Sequence, residues 1–347
     1  MKPEILHTSD ISAAAIVGRI LAHDVEATVD GNRVRLRKGA VLTEDDVPPL
    51  RAADRVLHVI ALDPGDVHED DAARRLARAV AGAGIHIGDP HESMITLRAQ
   101  ERGLLAVDVE RLLTINSIPD MSVWTLFDAQ IVREQQAVAG VKVTPLVTRD
   151  LSLIEAERIA RSGTSILRVQ PFVHRNVGVI VREELLPAAG ERFREAITRK
   201  VEWFGSQIVA LVHPPNNAAG VLAALRELTA SGVGLIMCAG VTSTDPLDVT
   251  VQALDELGVR WEKRGVPAHP GSTYWLAYLG GTPILGMASC GMFSRATVMD
   301  LILPRFFAGE RVTARTLAAL GHGGLLNKGM AFRFPDYAGP EIAAADE

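Results

Sequence analysis

From about residue 151 the chain alternates short apolar runs with segments of helical spacing, and few architectures accommodate that alternation. The spacing predicts helix over 153–162, strand over 165–169, strand over 177–181, helix over 193–205, strand over 207–212 and helix over 218–231. A strand at 235–238, a helix at 251–257 ended by Gly258, strands at 261–266 and 282–286, and a helix at 294–303 stopped by Pro304 complete the series. Strands that alternate with helices imply a three-layer α/β/α domain with a mostly parallel sheet covered on both faces. This domain is expected over 149–334.

The preceding residues read differently. Residues 1–62 are expected to form a small strand-rich module, with strands at 16–24, 33–37 and 56–60 and a turn at Asp30-Gly31-Asn32. A short helix starting near Thr43 is expected to be interrupted by Pro48 and Pro49. Arg33, Arg35, Arg37 and Lys38 read as a solvated strand edge. Residues 63–148 form a mixed α+β module opened by a helix at 69–82. His68, His86 and His91 lie near acids, but their spacing matches no metal-ligand pattern. Residues 335–347 read as a flexible acidic tail.

In a parallel sheet the loops that follow the strands share one edge, where ligands of α/β domains bind. Four loops fall there. One is Arg182-Glu183-Glu184, and a second runs from His213 to Asn217. The third carries Gly240, three hydroxyls on Thr242, Ser243 and Thr244, and two carboxylates on Asp245 and Asp248. Asp248 also suits the N-cap of the helix that follows. The fourth holds Ser289, Cys290 and Gly291, which suit an anion at a helix N-terminus. A further loop contains Pro270, Gly271 and Ser272. Each loop also has an ordinary reading as a capped turn; their convergence on one edge is what makes a site.

Several classes of function are excluded by composition and motif. A net charge of -6 leaves no global basic field for nucleic acid, and aromatics at 5% are few for base stacking. No run of eighteen apolar residues is present, so no membrane span is expected. Two cysteines, Cys238 and Cys290, are too few for a disulfide framework and suggest reduced thiols in the cytoplasm. Neither dinucleotide-binding nor P-loop glycine patterns occur.

Taken in order, the loops resemble those of the molybdopterin-binding domain in molybdenum-cofactor biosynthesis proteins, in its MoeA-like branch. Ala239-Gly-Val-Thr242 with Asp245 and Asp248 matches a G-G-V/M-S loop followed by acids. Pro270-Gly271 matches a P-G loop, and the stretch from Gly286 to Gly291 matches a strand ending in an L-P-G-type loop. The resemblance is good over roughly 175–325. It implies molybdopterin or its adenylylated form as ligand, with AMP or ATP and Mg²⁺ in active enzymes. It further implies a homo-oligomer, with a molybdoenzyme or another protein of the pathway as partner. By its implication Asp245 and Asp248 are catalytic and hold Mg²⁺, while Gly240, Thr242, Ser243, Thr244, Pro270, Gly271, Ser272, Ser289, Cys290, Gly291 and Glu184 bind the cofactor.

The chain departs from the family pattern at three of these loops. Val181-Arg-Glu-Glu184 stands where T-G-[ST]-E is typical, Ala239 where Gly is expected, and Met287-Ala-Ser289 where L-P-G is usual. The expectation is therefore a protein that binds or handles molybdopterin. The alternatives are a non-catalytic scaffold or binder of another small anion, and an active Mg²⁺-dependent nucleotidyl- or molybdenumtransferase.

Overall fold

The computed structural model describes residues 1–8, 11–91, 93–241, 244–287 and 296–337. The chain divides into two compact units. The first comprises 1–100, 106–128 and 134–169; the second comprises 170–347 together with 101–105 and 129–133.

The first unit opens with β1 (Lys2–His7), α1 (Ala13–Ile16) and β2 (Ile20–Leu21). Next come the hairpin strands β3 (Val25–Val29) and β4 (Asn32–Leu36), then α2 (Val47–Ala52) and β5 (Val56–Ala61). The single strand expected at 16–24 is thus the end of a helical turn, a two-residue strand and a bend leading into the hairpin. The turn at Asp30-Gly31 holds, with φ of 48° and 79°, the left-handed pair that a tight hairpin needs. Arg33 and Arg35 pair with Glu26 and Asp24 on the exposed hairpin. Pro48 and Pro49 do not interrupt a helix: they stand in the first turn of α2, where a missing N–H costs no hydrogen bond.

The chain continues with β6 (Asp66–His68), α3 (Glu69–Val80), β7 (Ile85–Ile87), β8 (Met94–Ala99), β9 (Gly103–Val107) and α4 (Val109–Asn116). Then follow β10 (Met121–Thr125), β11 (Ile131–Val132), β12 (Ala137–Val143), β13 (Val147–Arg149), α5 (Asp150–Arg161) and β14 (Leu167–Pro171). The first half of β9 and all of β11 fall in the stretches counted with the second unit. Strands β10, β12, β8 and β7 form an antiparallel sheet in that order. His68 caps α3, its Nδ1 accepting from Asp70 N and its Nε2 lying 2.8 Å from Gly39 O. Helix α5, expected in the α/β domain, packs on α3 instead, where Arg75 bonds both Asp150 and Glu157.

In the second unit the α/β alternation is realised. Its elements are β15 (Asn176–Val181), α6 (Pro187–Glu202), β16 (Gln207–Val212), α7 (Ala218–Ala230), β17 (Leu235–Ala239), α8 (Val249–Leu257) and β18 (Arg260–Arg264). They continue with β19 (Trp275–Leu279), β20 (Thr282–Met287), α9 (Val298–Phe307) and α10 (Ala314–Ala319). One six-stranded sheet runs β16-β15-β17-β20-β19-β18. Its first four strands are parallel, and β19 and β18 add antiparallel to the edge. Because side chains alternate along a strand, Met237 and Ala239 face one layer with α6 and α9, while Ile236 and Cys238 face the other with α7 and α8. Both layers are apolar, which is why β15 and β17 read as continuous hydrophobic runs. Among the described residues no helix is long and apolar enough to cross a membrane.

Two expectations fail here for physical reasons. Pro304 does not stop a helix but lies inside α9, flanked by buried Leu303, Phe306 and Phe307 whose packing carries the helix past the lost hydrogen bond. The stretch from 335 is not free throughout. Tyr337 is 8% exposed, and its hydroxyl donates to Asp300 Oδ1 at 3.0 Å. Lys200 Nζ donates to that same oxygen at 2.7 Å. Trp203 Nε1 donates to Asp336 O at 2.7 Å. Asp300 Oδ2 accepts from the backbone and hydroxyl of Thr297, closing the start of α9. Burial and the adjacent Asp300 push the Tyr337 phenol well above its ordinary range, so it stays a donor. The rest of the tail, 338–347, lies outside the described residues.

Asp300→Ala leaves Lys200 buried without its carboxylate and should cost about 3–5 kcal/mol. Tyr337→Phe removes one hydrogen bond to that carboxylate and should cost about 1.5–3 kcal/mol, less than Asp300→Ala. Thermal unfolding followed by circular dichroism measures both; equal losses would show that the ion pair is not the stronger element.

Candidate functional site

The carboxyl edge of the sheet gathers the loops at 182–186, 213–217 and 240–248, which follow β15, β16 and β17. Loop 265–274 joins them: β19 is antiparallel and starts beside the end of β20, with Trp275 opposite Gly286. Of the expected site residues, Thr242, Ser243, Ser289, Cys290 and Gly291 lie outside the described residues. The others can be placed.

Asp248 is buried and caps α8, its Oδ1 accepting from Thr250 N at 2.8 Å. Gly258 ends the helix in the left-handed conformation at φ 74°. The capping role read from the sequence therefore holds. The other carboxylate oxygen has a partner that spacing did not reveal: Arg182 Nη2 donates to Asp248 Oδ2 at 2.5 Å. The same nitrogen donates to Gly240 O at 3.1 Å, and Nη1 donates to Asn216 Oδ1 at 2.9 Å. One guanidinium thus ties together the loops after three adjacent strands. Arg182 and Asp248 side chains are 11% and 3% exposed, so this is an interior ion pair. Beside it, Arg182 Nε and Thr250 Oγ1 are buried with no partner among the described residues.

Gly240 is required where it stands. Its φ is 74°, and a Cβ there would meet the Cβ and backbone N of Glu183 at 2.6 Å. Arg182 N donates to Ala239 O at 3.0 Å, so the close approach to Gly240 is made by the chain's own loop. The Ala239 side chain points into the core beneath the edge. Glu184, Thr244 and Asp245 are exposed. Asp245 Oδ1 accepts from Leu247 N at 2.8 Å in a local turn.

Pro270 and Gly271 seat the loop on the start of α9. Pro270 O accepts from Val298 N at 3.1 Å, and a Cβ on Gly271, at φ 111°, would come within 3.0–3.2 Å of Val298. The turn at 321–324 supports this loop from behind, with His269 N donating to Gly324 O at 2.7 Å. Ser272 is exposed at its end.

Among the described residues, three of the four helix starts at this edge are closed by the chain itself; α6, entered through Leu186 and Pro187 beside the 182–186 loop, has no side-chain cap. Asn217 caps α7 by accepting from Gly220 N, Asp248 caps α8, and Thr297, Asp300 and Pro270 O close α9. Nor do the residues present suit Mg²⁺. Both oxygens of Asp248 are engaged, and among the described residues no group of three His, Cys, Asp or Glu stands close enough to hold a metal. In the structure Asp248 serves in capping and ion pairing.

What the edge does offer is a cavity of about 200 Å³ between the 182–186 loop, the first half of α6 and the end of β16. Leu185 and Leu211 supply apolar wall over the buried Phe193; Arg194, His213 and Glu191 supply polar groups. His213 belongs to a loop that sequence order had already placed here. Arg194 and Phe193 are hidden in an ordinary helical pattern, and no sequence signal distinguishes them.

Comparison with known proteins adds little that bears on this site. A family model described as a domain of unknown function (DUF8806) matches residues 10–53, in the first unit. No curated protein matches the chain. Among solved structures, the molybdopterin biosynthesis enzyme MoaB of Thermus thermophilus is 19% identical, covering 39% of this chain and 98% of its own, with a TM-score of 0.30. The molybdopterin biosynthesis MoeA protein of Pyrococcus horikoshii is 12% identical, covering 91% and 75%, with a TM-score of 0.31. MogA is 16% identical, covering 35% and 87%, with a TM-score of 0.23. Likeness at this level says nothing of ligand or chemistry.

Cys238 sits under the Arg182–Asp248 pair, fully buried, and burial pushes its thiol up to about 12. Arg182 nearby acts in the opposite direction but does not offset burial. In the native protein at pH 8 Cys238 should resist iodoacetamide and become reactive only on unfolding, as peptide mapping would show. Rapid native alkylation would mean that the loop edge opens readily.

Proposed function

We propose that this chain binds or handles a pterin phosphate of the molybdopterin type at the carboxyl edge of its six-stranded sheet, without catalysing metal-dependent transfer. The observation that carries the reading is the cavity of about 200 Å³ beside the 182–186 loop. Its size suits a flat bicyclic ring. Its exposed lining is mostly polar: Glu191 can accept from ring N–H groups, Arg194 and His213 can meet a phosphate, and Leu185 and Leu211 give the ring an apolar edge. The order of the loops supports the same ligand class, through their resemblance to the molybdopterin-binding pattern.

A Mg²⁺-dependent transferase is less well supported, because Asp248 already has two partners and Asp245 stands in an exposed turn. A site that keeps the edge loops but spends its carboxylate on an arginine is suited to holding a ligand rather than transferring a nucleotidyl group.

Protein purified from cells should release a pterin detectable by mass spectrometry. Isothermal titration with molybdopterin should give saturable binding that Arg194→Glu weakens at least about tenfold, the loss of one charge-assisted contact of roughly 1.5–3 kcal/mol. Absence of binding below about 1 mM, a free energy near -4 kcal/mol, would overturn the reading.

A further inference from the structure

We infer that Arg182 is the resident cation of this edge: its guanidinium occupies the place on Asp248 that a divalent metal would need, and so makes the site metal-independent. Asp248 is the only buried carboxylate among the described residues of the edge loops, hence the natural anchor there for a cation from solution. One of its oxygens caps α8 and the other receives Arg182 at 2.5 Å. A hydrated Mg²⁺ would have to displace a guanidinium that also holds Gly240 O and Asn216 Oδ1. Doing so would leave Arg182, almost wholly buried, without its counter-ion, and would disturb its bonds to Gly240 O and Asn216 Oδ1. Mg²⁺ gives up its water reluctantly and takes one or two carboxylates with substrate phosphates, so it has no means of winning that exchange.

The inference narrows the ligand class. An anion held at this edge meets side-chain cations directly. A nucleoside triphosphate, which is handled as its Mg²⁺ complex, is not the ligand the edge is built for.

The test uses the full chain with Mg²⁺ as the only ligand, so it is independent of whether a pterin binds. Thermal melts are recorded in EDTA and in about 10 mM MgCl₂ for the wild type, Asp248→Asn, Arg182→Gln and the double variant. At that concentration, binding with a dissociation constant on the order of 1 mM raises the midpoint by about 3 °C in a domain of this size. The wild type and Asp248→Asn should respond equally to Mg²⁺. Arg182→Gln leaves Asp248 buried without its cation, and Mg²⁺ should raise its midpoint by about that amount; the double variant should lose the extra rise. A Mg²⁺-dependent rise in the wild type that Asp248→Asn abolishes would overturn the inference. So would an Arg182→Gln variant that folds and responds no more than the double variant. If Arg182→Gln does not fold, the comparison of wild type with Asp248→Asn decides, supplemented by Mn²⁺ electron paramagnetic resonance on both. Equal Mn²⁺ uptake supports the assignment, and uptake lost in Asp248→Asn contradicts it.

Discussion

The carboxyl edge of the second unit depends on the buried pair between Arg182 and Asp248. Three loops from adjacent parallel strands meet there, and each brings backbone groups that a sheet cannot satisfy. Arg182 reaches all three loops: it neutralises Asp248 and bonds the backbone Gly240 O and the side-chain Asn216 Oδ1. A buried ion pair adds little net stability over a well-packed apolar pair, but breaking it by removing one partner is costly. The pair therefore fixes geometry more than it adds stability. It holds the 182–186 loop against Gly240 and leaves the cavity beside it bounded by Leu185, Leu211 and the first turns of α6.

A second interior network, Lys200 with Asp300, Thr297 and Tyr337, closes the start of α9 behind the loop at 268–272. The two networks follow the same logic. Each takes a carboxylate at a helix start, where it would complement the helix dipole, and pairs its remaining oxygen with a buried cation. The starts of α7, α8 and α9 are thus satisfied internally, while α6 opens at the cavity without a side-chain cap. The polar side chains of the cavity, Arg194, His213 and Glu191, are then the groups available to a ligand there.

Much of this was legible in the sequence, for reasons that can be named. Buried parallel strands need apolar residues on both faces, so β15 and β17 announced themselves. The cap at Asp248 and the stop at Gly258 are local, each within a few residues of the helix they bound, and the hairpin turn at Asp30-Gly31 is local too. What could not be read depends on partners far apart in the chain. Arg182 and Asp248 are 66 residues apart, and Lys200 and Asp300 are 100 apart. Tyr337 lies in a stretch with no periodicity, where only its bulk hinted at burial. Strand β19 carried a usable signal, Gly280-Gly281 between two apolar runs, but the glycine loop before it drew the reading elsewhere.

Arg182 and Asp248 act as one unit, and a double-mutant cycle measures that directly. Unfolding free energies of the wild type, Arg182→Met, Asp248→Asn and the double variant give the coupling between the two side chains. Direct partners in one interior network should couple by about 2–3 kcal/mol, with the double variant far less destabilised than the sum of the single ones. A coupling below about 0.5 kcal/mol, the level of independent sites, would contradict the claim.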